Sequence, residues 1–62
     1  MTPGQYKSAI AKVGLSQEAA GEFMGRSARQ GQRWAAGDPI PESVAKLLRL
    51  MVRLALKPSD VK

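Results

Sequence analysis

The chain has 62 residues, with ten Lys or Arg against five Asp or Glu, a formal charge of +5, and neither cysteine nor histidine. A chain of about 60 residues buries only about 60% of the surface it exposes when unfolded, which leaves room for one core and excludes a second domain. The absent cysteines exclude a disulfide framework, the absent histidines leave no ordinary zinc ligand set, and no charge-free stretch approaches the roughly 20 apolar residues of a membrane-spanning helix, so a cytoplasmic, unexported protein is expected.

No stretch alternates apolar and polar residues as a half-buried strand does. Four segments carry helical periodicity with their own start and stop residues, which predicts a small all-α four-helix domain over about 3–13, 17–24, 28–36 and 42–56. Residues 1–57 form the expected domain, and 58–62 a frayed C-terminal tail behind Pro58.

Thr2 can cap the first helix, with Pro3 in the first helical position and Gln5 completing a capping box. Its core stripe is Tyr6, Ala9, Ile10 and Val13, and Gly14 is placed to end it in a left-handed residue. Ser16 caps a short second helix expected to bury Ala20, Phe23 and Met24. After Gly25, the S-x-x-Q run from Ser27 to Gln30 is a second capping box, opening a third helix that Gly37 closes and whose only large apolar side chain is Trp34. The prolines at 39 and 41 cannot be inside a helix, and Pro41 suits the first turn of the fourth, with Glu42 near its positive end.

Charge is unevenly spread along the chain. Residues 1–25 sum to zero, whereas residues 26–62 hold eight basic and three acidic side chains, 8 − 3 = +5, a balance that attracts a polyanion without specifying which. The helices flanking Gly25-Arg26-Ser27 are too short to lie side by side, so they should cross steeply, at about 90 to 120°, as a helix-turn-helix. On a helical wheel Ala28, Arg29, Gln32, Arg33 and Ala36 point away from the Trp34 face. Arg pairs bidentately with guanine and Gln with adenine, so Ala28, Arg29, Gln32 and Arg33 are the candidate base contacts in a DNA major groove.

The runs Gly14-Leu15-Ser16-Gln17-Glu18-Ala19-Ala20, Met24-Gly25-Arg26-Ser27 and Gln32-Arg33-Trp34-Ala35-Ala36-Gly37 closely resemble the helix-turn-helix of the Cro and phage-repressor class of bacterial and phage regulators. The resemblance extends more loosely through Pro39-Ile40-Pro41 and Val44–Leu50. It implies a lambda-repressor-like domain in a bacterial nucleoid or phage-infected cell, binding double-stranded DNA without a cofactor. It also implies that Ser16 and Gln17 touch a phosphate, which agrees with the unpaired N–H groups and positive end of a helix start. Arg26 and Ser27 are further phosphate candidates. Two residues depart from the pattern: Arg26 stands where a branched aliphatic residue is usual, and so must reach solvent or a phosphate, and Gly31 replaces another aliphatic residue, making room beside Trp34.

The fourth helix is apolar over about 200° of its circumference, wider than one core needs, so Leu50, Val52, Leu54 or Leu56 should stay exposed in a monomer. Pairing two copies through these residues would set two reading helices about 34 Å apart on an inverted repeat. The expectation is therefore a homodimeric, sequence-specific transcriptional repressor. Two other classes use the same helix: a protein-interaction module, such as an antitoxin or phage accessory factor, and a membrane-surface peptide, against which the helix caps argue. An enzyme is not expected, because His and Cys are missing and the five carboxylates fall on different elements. No metal site is expected either.

Overall fold

In the computed structural model, which describes residues 1–60, every regular element among the described residues is helical: α1 (Pro3–Val13), α2 (Gln17–Phe23), α3 (Ala28–Ala36), α4 (Glu42–Arg53) and a single 3-10 turn, Pro58–Asp60. None of the helices is long and apolar enough to cross a membrane. Local chemistry sets most of their ends. Thr2 and Gln5 form the reciprocal capping box on α1, Thr2 Oγ1 accepting from the Gln5 N–H at 3.1 Å and Gln5 Oε1 accepting from the Thr2 N–H at 3.0 Å. Ser16 and Ser27 each accept from a backbone N–H three residues on, both at 3.1 Å. At Ser27 only this half of the expected box forms. Pro41 is the N-cap of α4 and not a first-turn residue, and it supplies no side-chain cap.

The expected α1 stripe is buried in full, and Trp34, Val44, Ala45, Leu48 and Met51 complete the core with Ala20 and Ala35. α1 lies against α4, α3 and α2, and so holds the domain together. Tyr6 and Trp34 meet edge to face, with centroids 5.8 Å apart and planes at 77°, the arrangement their ring quadrupoles favour. The Tyr6 hydroxyl donates to the Gly31 carbonyl at 2.9 Å in the buried interior. Burial raises the phenol pKa above its ordinary 10.0. The contribution of the neutral phenol is thus complete below pH 10.0, and it falls as pH rises from there towards the higher folded value. Tyr6→Phe should cost about 1 kcal/mol near neutral pH and abolish this alkaline loss; urea melts at about pH 8 and about pH 11 check both effects.

Packing of α2 differs from the expectation. Ala20 and Gly21 are its buried residues, whereas Phe23 and Met24 are only half-buried, and Met24 but not Phe23 packs on the core. Gly31 does make room, but for backbone rather than for Trp34. A Cβ at Gly31 would collide with the Gln17 carbonyl oxygen and lie 2.6 Å from the Gly21 nitrogen. A Cβ at Gly21 would collide with the Ser27 carbonyl oxygen and lie 2.6 Å from the Gly31 nitrogen. The two helices therefore touch backbone to backbone at a glycine pair, which side chains of any size would push apart.

The fourth helix ends at Arg53, three residues before the expected 56. The Leu56 N–H donates to the Met51 carbonyl at 2.8 Å and the Ala55 N–H to that of Val52 at 3.3 Å, the paired bonds of a Schellman ending. The same ending closes α1, α2 and α3 around Gly14, Gly25 and Gly37, but here the left-handed residue is Ala55, at φ 53°. A non-glycine residue pays about 1–2 kcal/mol for that conformation. Ala55→Gly should therefore raise stability by about 0.5–1 kcal/mol after the added backbone entropy, or a few degrees in a thermal melt followed by circular dichroism. Beyond it, Asp60 Oδ2 accepts from the Lys57 N–H at 2.9 Å, and the Asp60 N–H donates to the Lys57 carbonyl, so part of the tail expected to fray carries a turn. Residues 61 and 62 lie outside the described residues.

Candidate nucleic-acid interface

α3 turns Gly31, Trp34 and Ala35 inward and leaves Arg29, Gln32, Arg33 and Ala36 exposed, with Ala28 half-buried at its start. The wheel assignment of the outward face therefore holds for four of its five residues, and Ala28, next to the capping Ser27, is partly covered. Three long polar side chains from successive turns share that face, and no carboxylate stands among them on α3. Trp34, 2% exposed, is unavailable for stacking on a base.

One contact on this face is absent from the sequence reading. Arg33 Nε lies 3.0 Å from Asp38 Oδ2, with the two side chains 60% and 36% exposed. Asp38 follows the helix end at Gly37, and its own N–H donates to the Arg33 carbonyl at 3.0 Å. Side-chain pairing on a helix is sought at spacings of three and four. Asp38 is five residues away and becomes a neighbour only because the chain reverses at Gly37, at φ 125°.

The four phosphate candidates lie at the two helix starts and the turn between them. Ser16, Arg26 and Ser27 are exposed and Gln17 is half-buried. Both serine hydroxyls accept a capping bond, which leaves each O–H free to donate to an incoming oxyanion. Arg26 is solvated, as its charge requires.

The residues expected to pair two copies are divided. Leu50 is 48% and Leu54 57% exposed. Val52 packs against the core, and Leu56, half-buried, lies beyond the reversal at Ala55 rather than on the helix. The unpartnered arc is narrower than the wheel suggests because Val52 is half-buried against the core; beside it α1 and α4 flank an open groove of about 510 Å³ lined by Ala9 and Val52 and edged by Lys12, Arg49 and Arg53. No group of three or more His, Cys, Asp or Glu side chains is placed to hold a metal ion among the described residues.

The chain matches no family model, no curated protein and no solved structure.

Proposed function

We propose that the protein is a sequence-specific double-stranded DNA-binding regulator that reads the major groove with α3 and represses by occupying an operator, without a cofactor. The observation that carries this reading is the exposed Arg29–Gln32–Arg33 face of a helix whose opposite face is fixed to the core by Trp34 and Gly31. A helix of nine residues is about 13 Å long and, with side chains, about 10–12 Å across, which suits a groove about 12 Å wide. Arg29 and Arg33 would each reach the O6 and N7 of a guanine, and Gln32 an adenine, with Ala28 permitting close approach. Ser16, Gln17, Arg26 and Ser27 would hold the backbone on either side of the groove. On this reading α2, the turn at Gly25 and α3 act as a helix-turn-helix of the kind the sequence resembles.

The domain measures 26 × 19 × 18 Å, shorter than the roughly 34 Å between half-sites one helical turn apart. A twofold operator would therefore need two copies, meeting through Leu50 and Leu54. These two side chains alone fall far short of the roughly 1,200 Å² of a stable interface, so the pairing would be completed on DNA. Exposure of the same leucines favours a second reading, in which α4 docks on a different protein and α3 is only a scaffold.

Selection of binding sites from a pool of random duplexes tests the assignment. An enriched inverted repeat with guanines in each half-site is expected. A pool that remains random at low salt, with a bound protein covering Leu50 and Leu54, would establish the second reading instead.

A further inference from the structure

We propose that Asp38 is the specificity-setting residue of this surface: it orients the Arg33 guanidinium towards one guanine and repels DNA that lacks it. The proposal rests on α3 being the DNA-reading helix.

Exposed ion pairs add little to stability, so fold maintenance does not account for a carboxylate 3.0 Å from the Nε of Arg33, in the last turn of the candidate reading helix. The backbone that carries the carboxylate is itself held in place. The Asp38 N–H is tied to the Arg33 carbonyl at 3.0 Å, and Pro39 restricts the backbone of the residue before it. Its contact falls on Nε, the guanidinium nitrogen nearest the chain. The four N–H groups on the two terminal nitrogens make no hydrogen bond among the described residues. Those terminal nitrogens form the fork that matches guanine O6 and N7. An arginine held to one side by the charge beside its Nε loses less rotamer freedom when it binds than one swinging in solvent.

The charge acts separately. A negative group beside the groove is repelled by phosphates whatever the sequence, and the repulsion is offset only where Arg33 completes its base contact. Affinity for every duplex is held down, and the contact made by the oriented Arg33 restores it at the cognate base pair alone.

The test uses the full chain and three probes: the duplex selected by the wild type, variants of it at each base pair, and a random duplex. Asp38→Ala removes both the neighbouring side chain and its charge, whereas Asp38→Asn keeps a polar side chain of the same shape beside Nε and removes the charge alone. Random-duplex affinity should rise about two- to fivefold in both variants. Discrimination should fall about five- to tenfold in Asp38→Ala, less in Asp38→Asn, and only at the base pair that Arg33→Ala also relaxes. A loss of fold would weaken all probes together and lower the thermal midpoint; these opposite-signed changes with an unaltered melt could not arise that way. An unchanged discrimination profile in Asp38→Ala, with the wild type still selective, overturns the role of Asp38 and leaves the reading of α3 standing. A wild type that selects nothing overturns both.

Discussion

Replacing Gly31 by Ala should leave the chain largely unfolded at 37 °C, although alanine is the better helix former by about 1 kcal/mol. The added methyl would meet the Gln17 carbonyl oxygen and the Gly21 nitrogen, both backbone atoms that no rotamer change can move aside. Separating α2 from α3 to admit it would also strain the bond from Tyr6 to the Gly31 carbonyl and the packing of Trp34 above it. A cost of about 3–5 kcal/mol is expected, in the range of severe core lesions. A domain of this length has about 3–9 kcal/mol in all. Gly21→Ala should behave alike, since its methyl would strike the Ser27 carbonyl. Gly4 provides the contrast: it is exposed, and its nearest neighbour to an added Cβ is Thr2 Oγ1 at 3.9 Å. Gly4→Ala should therefore stabilise by a few tenths of a kcal/mol. Far-UV circular dichroism with urea melts compares the three; equal, mild effects would show that the glycine pair is not a close contact.

The double variant Arg29→Ala/Arg33→Ala should lose about 30-fold to about 10⁴-fold in affinity for the selected duplex, because each bidentate guanine contact contributes about 1–3 kcal/mol of discrimination. Both side chains are exposed and their one ion pair among the described residues is on the surface, so the melt should hardly move. Affinity for a random duplex should fall less, and its dependence on salt should become shallower by the phosphate contacts that are lost. Equal losses on selected and random DNA would mean that the arginines serve as charges alone, and base reading by α3 would be abandoned. Gln17→Ala is the matching control: a residue at the helix start should weaken both duplexes alike.

Three helices could be placed from the chain because their ends are written in small local signals. Thr2, Ser16 and Ser27 are hydroxyl caps, and Gly14, Gly25 and Gly37 mark the reversals. The fourth is three residues shorter than its apolar pattern suggests because its reversal residue is Ala55, which carries no such mark. Hydrophobicity alone points Phe23 inward, but a seven-residue α2 turns Ala20 and Gly21 to its neighbours. The outward face of α3 follows from periodicity. The partner of Arg33 does not, since Asp38 is out of phase with the helix and arrives through the loop. The close contact of α2 and α3 is equally hidden: a glycine at 21 or 31 reads along the chain as a weak point, and only the close approach of the two backbones reveals it as a requirement.

Trp34 is the only indole in the chain, and it is held almost wholly out of water against the only phenol, that of Tyr6. The protein therefore contains its own fluorescent gauge of folding, with emission at short wavelength while the core holds and moving to the red when it opens. Because the ring faces away from Arg29 and Arg33, titration with oligonucleotides should leave that emission almost untouched. One cuvette can thus separate a variant that no longer binds from one that no longer folds.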